Sequence, residues 1–285
     1  MKLCRFDEDR LGVVVGDHIH DVSPIQDQIR AAARYDIKGD AVIAALPSWR
    51  ARLEDMAAKS PGRLVSEVRL LAPVARPTKV MAAPTNYRKH IEEMQAGRGD
   101  ASRKHSSNIG EAGIFLKANS SLVGPSEGIA TRFPDRRNDH EAEIVIIIGK
   151  QGTNIARENA LEYVAGYSLG LDMTLRGSED RSFRKSIDGY SVLGPWLTTA
   201  DEIADPNKLA FQLSVNGRTK QDSNTEFMVY DMQRLIEFAS SFYTLYPGDV
   251  FFTGTPEGVG PVLPGDEIRV RADPLGELTT KVRAQ

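Results

Sequence analysis

The sequence predicts an α+β protein in which strands dominate, with a small N-terminal α/β module over residues 1–73 and a larger domain over residues 74–285. Short strand patterns and two helical stretches fill the first part, and Pro73 and Pro77 mark a plausible boundary. From residue 79 onward, strand patterns recur to the end of the chain. A chain of 285 residues is long enough for one large and one small domain.

The elements can be placed in order from hydrophobic periodicity and turn residues. The predicted strands cover residues 2–6, 12–15, 18–22, 79–83, 112–117, 144–148, 165–173, 250–253, 267–271 and 278–282. The predicted helices cover residues 25–33, 50–58, 86–94, 156–164 and 231–241. Pro47 is expected to break the chain before the second helix, and Asn216-Gly217 predicts a hairpin turn. The polar segment 95–111 is long enough to form a mobile lid.

Composition excludes several classes of function. Apolar residues make up 41% and charged residues 26% of the chain, which is ordinary for a globular protein. A net charge of −3 gives no reason to expect nucleic acid or an anionic membrane as a partner. No apolar run is long enough to span a membrane. The single cysteine, Cys4, excludes an internal disulfide, and with no apolar signal core at the N-terminus we expect a cytoplasmic protein.

Two glutamates one residue apart, Glu141 and Glu143, stand directly before the apolar run 144–148. Side chains alternate along a strand, so both should point to the same side. Two carboxylates at the end of a buried strand repel each other and are costly to desolvate, and a divalent cation removes both problems. The strand over residues 165–173 carries a third acid, Asp172. Three carboxylates would form a site of hard oxygen ligands suited to Mg²⁺, Mn²⁺ or Ca²⁺.

The alternative interpretation of the two glutamates is structural. They could lie at a solvated strand end or form salt bridges with the upstream Arg132, Arg136 or Arg137. The spacing alone leaves the metal site and the structural interpretation equally open.

A histidine and a glutamate three residues apart, His90 and Glu93, share one face of the predicted helix 86–94. A carboxylate beside a histidine orients the ring and raises its basicity, as a general base that activates water requires. The alternative is a surface helix with an incidental pair, and taken alone this alternative is favoured.

Cations and a glycine-rich turn add candidates for substrate binding. Lys185 and Arg176 could hold a substrate carboxylate or stabilise enolate charge, although an exposed basic loop is the alternative. The Thr255 hydroxyl, in the turn 253–260, could bond a ligand carboxylate. The segment 166–170 matches the serine-hydrolase pattern G-x-S-x-G, but it continues as a strand instead of opening a helix, which disfavours a nucleophilic Ser168.

Taken in order, these segments resemble the fumarylacetoacetate hydrolase family from about residue 79 to the C-terminus. The motifs that carry the resemblance are Asn86-Tyr87-x-x-His90, Phe115-Leu116-Lys117, Asp139-His140-Glu141-Ala142-Glu143, Ala165-Gly166-Tyr167, Asp172-Met173-Thr174-Leu175-Arg176, Lys185-Ser186, Leu193-Gly194-Pro195-Trp196, Val215-Asn216-Gly217, Pro247-Gly248-Asp249-Val250 and Thr253-Gly254-Thr255-Pro256. The resemblance implies a C-terminal domain built as a rolled β-sandwich and usually a homodimer. It favours the metal interpretation, with Mg²⁺ or Mn²⁺ held by Glu141, Glu143 and Asp172.

The resemblance also implies roles for individual residues. His90 and Glu93 match a water-activating dyad on a lid, and Lys185 matches a lysine near the metal. Thr255 matches a residue that contacts the substrate carboxylate, and Lys117 matches a lysine near the site.

The chain departs from the family pattern between Asp172 and Lys185. Family members commonly have Arg-Asp and then Gln where this chain has Arg176-Gly177 and Glu179, and the segment is shorter here. These positions surround the substrate in the family, so Glu179 joins Arg176 as a predicted substrate contact, and the identity of the substrate is open.

The leading functional hypothesis is metal-dependent hydrolysis of a carbon–carbon bond in a 2,4-dioxo acid, which releases pyruvate through an enolate. Acylpyruvates from aromatic breakdown and diketo-deoxy sugar acids are the candidate substrates. An isomerase, a hydratase or an oxaloacetate-type decarboxylase on the same metal site is the alternative. A metal-dependent or oxo-acid-binding protein without catalysis is a more remote one.

Overall fold

The computed structural model describes residues 1–33, 38–96 and 109–285. The elements before residue 74 are five strands, two α-helices and a 3₁₀-helix over Val65–Glu67, and this count covers only the described residues. They are β1 (Lys2–Phe6), β2 (Arg10–Val15), β3 (His18–Asp21), α1 (Ser23–Ala32), α2 (Ala41–Lys59), β4 (Gly62–Leu64) and β5 (Leu70–Leu71).

The remainder of the described chain is richer in strands than in helices. Its strands are β6 (Val80–Ala82), β7 (Phe115–Lys117), β8 (Leu122–Val123), β9 (Ile129–Thr131), β10 (Asn138–His140), β11 (Ala142–Ile148), β12 (Val164–Asp172), β13 (Thr174–Leu175), β14 (Ser191–Thr199), β15 (Ala210–Val215), β16 (Arg218–Asn224), β17 (Val250–Phe252), β18 (Gly260–Pro261), β19 (Glu267–Ala272) and β20 (Gly276–Ala284). Its α-helices are α3 (Arg88–Ala96), α4 (Ile109–Ala112), α5 (Arg181–Lys185) and α6 (Met232–Phe242).

One twelve-stranded sheet joins the N-terminal elements to the rest of the chain. Its strand order is β4-β3-β2-β1-β14-β12-β11-β17-β6-β7, and β5 and β8 pair with β1 and β14 from outside this path. The junction is the antiparallel pair β1–β14, in which Lys2 lies opposite Thr198 and Leu3 opposite Leu197. Because the sheet is continuous across this junction, the domain boundary between residues 73 and 74 stays a prediction.

A second, five-stranded sheet packs against the large one. Its order is β16-β15-β19-β20-β9, and a short three-stranded sheet, β13-β10-β18, lies beside the candidate site described below. Ile144 and Ile146 of β11 share a core with Leu213 and Val270 of the five-stranded sheet, whereas Val145 packs in a separate cluster on the opposite face. The predicted β-dominated α+β fold is confirmed.

The prediction of a chain break at Pro47 is wrong. Helix α2 runs without interruption from Ala41 to Lys59 and contains Pro47. The Asp40 side chain caps the helix by accepting hydrogen bonds from the amides of Val42 and Ile43. Pro47 removes one backbone hydrogen bond, but burial of the helix's apolar face against the first strands outweighs that loss.

Other predicted elements differ little from the structure. Helix α6 begins after Asp231, whose side chain accepts a hydrogen bond from the Arg234 amide. The segment predicted as a helix over residues 156–164 is a 3₁₀-helix, Arg157–Tyr163, because it is a short connection that leads directly into β12. Asn216 and Gly217 both have positive φ, as a two-residue hairpin turn of this kind requires.

Most of the predicted lid over residues 95–111 lies outside the described residues. Helix α3 extends to Ala96 on one side, and α4 begins at Ile109 on the other. Cys4 is fully buried in β1, and this burial raises the pKa of its thiol to about 12, which agrees with a structural role. In the described part of the chain, no helix combines the length and apolar character needed to cross a membrane.

Candidate metal centre

Three carboxylates from two adjacent strands meet at one end of the large sheet. Strands β11 and β12 pair antiparallel with Glu143 opposite Gly170, and the Asp172 amide donates to the Glu141 carbonyl (2.9 Å). This register places Glu141, Glu143 and Asp172 side by side, and one oxygen of each lies within 4.8 Å of the others. All three residues are buried. Strand alternation therefore produces the cluster that the sequence pattern predicts.

Two lysines contact the cluster, but among the described residues they form ion pairs with only two of its three carboxylates. The Lys185 Nζ lies 2.6 Å from Glu141 Oε2 and 2.7 Å from Asp172 Oδ2. The Lys117 ammonium donates to Asp172 and to the Tyr190 carbonyl. Among the described residues, Glu143 forms no ion pair, and its Oε2 accepts a hydrogen bond from the Gly254 amide (2.7 Å).

Because the lysines pair unequally with the acids, the pKa values of the two glutamates shift in opposite directions. Burial, followed by repulsion from Asp172 and Glu141, raises the pKa of Glu143 well above its usual range. Burial acts in the same direction on Glu141, but attraction by Lys185 and Arg176 outweighs it, so the pKa of Glu141 is lowered. Burial likewise lowers the pKa of the Lys117 ammonium, although Asp172 opposes that shift.

The upstream arginines do not neutralise the glutamate pair. In the structure, each of them binds another acid: Arg132 pairs with Asp188, Arg136 with Glu179 and Arg137 with Asp139. The structural interpretation of the glutamate pair, as salt bridges to these arginines, is therefore wrong.

A divalent cation fits this arrangement. The cluster offers carboxylate oxygens only, which suit Mg²⁺, Mn²⁺ or Ca²⁺ better than soft metals. Glu143 is a buried carboxylate that forms no ion pair with the described residues, and a charge in that position is unfavourable unless something compensates it.

The three carboxylates line a cavity, and the predicted base, His90 of α3, lines it with them. His90 is only 8% exposed. Its Nδ1 lies 3.3 Å from Glu93 Oε2, and the Gly258 amide donates a hydrogen bond to the Glu93 carboxylate with an N···O distance of 3.3 Å. Glu93 thus fixes the histidine ring against the glycine-rich turn that follows β17.

Arg176 is held at the cavity wall by an acid that sequence reasoning missed. The fully buried Asp139 accepts from Arg176 Nε (2.6 Å) and from Arg137 Nε (2.6 Å). Arg176 also reaches Glu141 Oε1 at 3.2 Å, and the Thr174 hydroxyl donates to the same oxygen. The sequence does contain a signal for this role, because Asp139 lies two residues before Glu141 and should therefore point to the same side of the strand as the two glutamates.

The other predicted substrate contacts divide into two groups. Thr255 lines the cavity, and its hydroxyl accepts a hydrogen bond from Gln221 Nε2 (2.8 Å). Lys117 does not line the cavity, because its ammonium is buried behind Asp172. Glu179 does not line it either, because its exposed carboxylate is engaged by Arg136. The structure therefore does not bring Lys117 or Glu179 to the cavity surface.

Two arginines at the site were not predicted. Arg181 and Arg184 line the cavity together with Arg176, and the Arg181 guanidinium lies 5.6 Å from the centre of the Phe115 ring. The short connection between β13 and α5 brings them there, and the only signal in the sequence was the shortened segment before Lys185.

Ser168 is not a nucleophile in this structure. It lies in the middle of β12, fully buried, and its hydroxyl donates to the carbonyls of Gly194 and Trp196. A nucleophile elbow requires a strand-to-helix turn that exposes the serine, so the structure agrees with the sequence in disfavouring this motif.

Replacing Asp139 with asparagine should destabilise the protein by about 1–3 kcal/mol, because the half-buried Arg176 loses the nearer of its two carboxylate partners and keeps only Glu141. Urea unfolding of the variant would measure the effect. The matched control is Asp188→Asn, since Asp188 forms an exposed pair with Arg132 and its loss should cost less than about 1 kcal/mol. Equal losses in the two variants would contradict the role given to Asp139.

Comparison with known proteins finds relatives that match most or all of this chain. The family described as fumarylacetoacetate (FAA) hydrolase C-terminal matches residues 79–283. The maleylpyruvate hydrolase of Aquipseudomonas alcaligenes is 50% identical over 289 residues, which cover 100% of both chains. The mitochondrial oxaloacetate tautomerase Fahd2a of Rattus norvegicus is 38% identical over 229 residues, which cover 76% of this chain and 70% of the rat protein.

Solved structures show the same relationship. The crystal structure of maleylpyruvate hydrolase from Sphingobium sp. SYK-6 in complex with manganese(II) ion and pyruvate superimposes with a TM-score of 0.84. It is 38% identical, and the match covers 100% of this chain and 99% of that chain.

Proposed function

This chain belongs to the fumarylacetoacetate hydrolase family, and we propose that it is a metal-dependent hydrolase that cleaves acylpyruvates, with maleylpyruvate as its first candidate substrate. One observation carries the proposal: a buried cluster of three carboxylates, with lysine partners for only two of them, shares a cavity with a histidine held by a glutamate. The first part suits a divalent cation and the second suits activation of water. The relatives named maleylpyruvate hydrolase support the choice of substrate.

Glu141, Glu143 and Asp172 would hold Mn²⁺ or Mg²⁺. A cation there supplies Lewis acidity, which makes the oxo groups of a chelating 2-oxo acid more electrophilic and the enolate a better leaving group. The Lys185 ammonium donates to Glu141 and to Asp172 and lines the cavity. From this position it could also donate to substrate oxygens on which negative charge develops.

His90 would begin the reaction by accepting a proton from water. Because its Nδ1 faces Glu93, the ring nitrogen that accepts the proton is Nε2. The hydroxide attacks the C4 carbonyl, the bond between C3 and C4 breaks, and its electron pair remains with the pyruvate fragment as an enolate. The proton that His90 accepted is then returned to C3 of that enolate, which yields pyruvate, and the acyl fragment leaves as a carboxylic acid. Thr255 would bind the substrate's C1 carboxylate.

Tautomerisation of an oxo acid is the second candidate, because an oxaloacetate tautomerase is 38% identical to this chain. That reaction moves a proton between C3 and the 2-oxo oxygen and needs no attacking water. The same cavity could therefore perform it.

A panel of acylpyruvates, diketo-deoxy sugar acids and oxaloacetate would distinguish these functions. We expect pyruvate release from acylpyruvates with Mn²⁺ or Mg²⁺ and its loss after chelation, with no effect of a serine-reactive phosphonate. Proton exchange on oxaloacetate without pyruvate release from any substrate would favour the tautomerase. Pyruvate release that chelation leaves unchanged would overturn the metal-dependent mechanism.

We propose, in addition, that the protein is a cytoplasmic homodimer. The family resemblance supports the dimer, and large apolar side chains such as Phe242 (71% exposed) and Leu263 (66%) are available on the surface. The single buried thiol of Cys4 is compatible with a reducing compartment. Light scattering after size-exclusion chromatography should give twice the chain mass of 31.3 kDa, and a value equal to one chain mass would contradict the dimer.

A further inference from the structure

A buried glutamine connects strand β11 to the glycine-rich turn 253–260. Gln221 lies in β16, at the edge of the five-stranded sheet, and is only 1% exposed. Its side chain accepts a hydrogen bond from the Ala142 amide (2.9 Å) and donates one to the Thr255 hydroxyl (2.8 Å). Ala142 separates the two glutamates of the metal cluster. Gln221 therefore links that cluster to the threonine that would bind the substrate's C1 carboxylate.

An irregularity in β16 brings Gln221 to this turn. The register between β15 and β16 shifts next to Gln221 and leaves Lys220 as an extra residue in a β-bulge. The bulged backbone lies directly against the turn, because a Cβ added at Gly258 would lie 2.1 Å from the Lys220 carbonyl oxygen. Gly258 also has a φ of +88°, so glycine is required there. The glutamine is thus held against the turn by close backbone contact.

The hydrogen-bond partners of Gln221 fix the orientation of its side-chain amide. The backbone N–H of Ala142 can only donate, so the atom that faces it is the carbonyl oxygen Oε1. The Pro256 carbonyl can only accept, so the atom that faces it at 3.0 Å is the amide nitrogen Nε2. An amide nitrogen donates two hydrogens and accepts none. In the contact with Thr255, Nε2 is therefore the donor and the Thr255 hydroxyl oxygen is the acceptor.

The direction of this bond determines where the Thr255 hydroxyl hydrogen can point. A threonine hydroxyl has one hydrogen to donate and can accept through its lone pairs. Because the oxygen accepts from Gln221, the hydrogen points elsewhere, and this hydroxyl donates to no group among the described residues. Thr255 lines the cavity together with the three carboxylates. Its hydroxyl hydrogen is therefore available to an acceptor inside the cavity.

We propose that Gln221 is a positioning residue, which holds the Thr255 hydroxyl with its hydrogen directed at the C1 carboxylate of the substrate. This inference rests on the proposed function, in which Thr255 binds that carboxylate. A donor that is already fixed loses less conformational freedom on binding than one that rotates, so the contact becomes stronger. Gln221 does not line the cavity, and it acts on the substrate through Thr255.

Calorimetry with pyruvate, on the protein loaded with Mn²⁺, tests this contact without turnover. Thr255→Val should weaken pyruvate binding about tenfold or more, the usual effect of losing a hydrogen bond to a charged group. Gln221→Met has a similar side-chain length but no donor, and it should weaken binding about three- to tenfold. In the Thr255→Val background, Gln221→Met should have less than about a twofold further effect, because the hydroxyl on which it acts is absent.

Steady-state kinetics should divide the effect between KM and kcat. With maleylpyruvate, Gln221→Met should raise KM about three- to tenfold and change kcat less than about twofold. The reason is that the C1 carboxylate is bound equally in the ground state and in the transition state. A loss confined to kcat would contradict a role in binding the carboxylate.

A second variant keeps the shape of the side chain and reverses one hydrogen bond. In Gln221→Glu, an oxygen replaces Nε2 and accepts the Thr255 hydrogen, while the other oxygen still accepts from the Ala142 amide. This variant should weaken pyruvate binding at least as much as Gln221→Met, and it provides the test if Gln221→Met does not fold. Gln26→Met, the matched control, removes a buried glutamine that donates to the Asp9 carbonyl. It should lower stability in urea and leave pyruvate binding unchanged.

The outcomes distinguish this inference from the proposed function. Unchanged pyruvate binding in both Gln221 variants would overturn the inference, and so would an undiminished effect of Gln221→Met in the Thr255→Val background. Either result would show that Gln221 only supports the backbone, and the hydrolase function would stand. A wild type that binds no pyruvate would also overturn the inference. If the wild type binds pyruvate but releases none from any acylpyruvate, the hydrolase function fails, and the binding data still decide the role of Gln221.

Discussion

Replacing His90 with asparagine is expected to lower kcat for maleylpyruvate hydrolysis about 10²–10⁴-fold, the range typical for loss of a positioned general base. The asparagine amide can still donate to Glu93, but it cannot accept a proton from water. Binding of Mn²⁺ should not change, because His90 is not among the three clustered carboxylates. Steady-state kinetics of pyruvate release and a manganese titration would measure the two quantities.

Two further variants make the His90 result interpretable. Glu93→Gln should cause a smaller loss, about tenfold or more, because the ring keeps a hydrogen-bond partner but loses a negative charge. His20→Asn changes a histidine in the N-terminal part of the chain whose ring forms a hydrogen bond with the Ser60 carbonyl, and it should leave kcat unchanged. If His90→Asn kept full activity, water activation would have to be assigned to another group.

Replacing Glu143 with glutamine is expected to remove metal-dependent activity and to make the metal-free protein more stable at neutral pH. Glutamine has nearly the same side-chain shape as glutamate, and its amide oxygen can accept the hydrogen bond from the Gly254 amide. It does not, however, add a third negative charge to the buried cluster. At 100 times its Kd, Mn²⁺ should stabilise the wild type by about 2.7 kcal/mol and the variant much less.

The raised pKa of Glu143 also predicts how stability depends on pH. Folding favours the protonated carboxyl, so its contribution to stability is complete below the ordinary value of 4.5 and is lost as pH rises through the folded pKa. The metal-free wild type should therefore lose stability from about pH 4.5 upward relative to Glu143→Gln.

Urea unfolding at several pH values, with and without Mn²⁺, would measure both effects at Glu143. The exposed Glu158→Gln variant is the control and should follow the wild type. A Glu143→Gln protein that is less stable than the wild type at every pH, or that still gains stability from Mn²⁺, would contradict the account.

The shared side of Glu141 and Glu143 could be predicted from the sequence, because side chains alternate along a strand. The spacing left the metal and the structural interpretation equally open, and the family resemblance favoured the metal. The His90–Glu93 pair follows from helical spacing in the same way. The β-dominated fold was equally accessible, because strand patterns recur along the chain.

The features that the sequence did not predict depend on packing between residues that are distant along the chain. Arg181 and Arg184 reach the cavity because the short connection after β13 leads into α5, and no spacing rule specifies where that helix packs. The role of Asp139 depends on an arginine 37 residues away. Pro47 was misjudged because tertiary burial of α2 overrides the local preference of proline to end a helix.

Titration of the metal-free protein with Mn²⁺, in which bound metal and pyruvate release from maleylpyruvate are measured on the same samples, tests whether catalysis depends on the carboxylate cluster. We expect one tightly bound ion per chain, activity that rises in proportion to the bound ion, and neither effect in Glu143→Gln. Full activity in the metal-free protein, or an unchanged Mn²⁺ affinity in Glu143→Gln, would contradict a metal-dependent hydrolase.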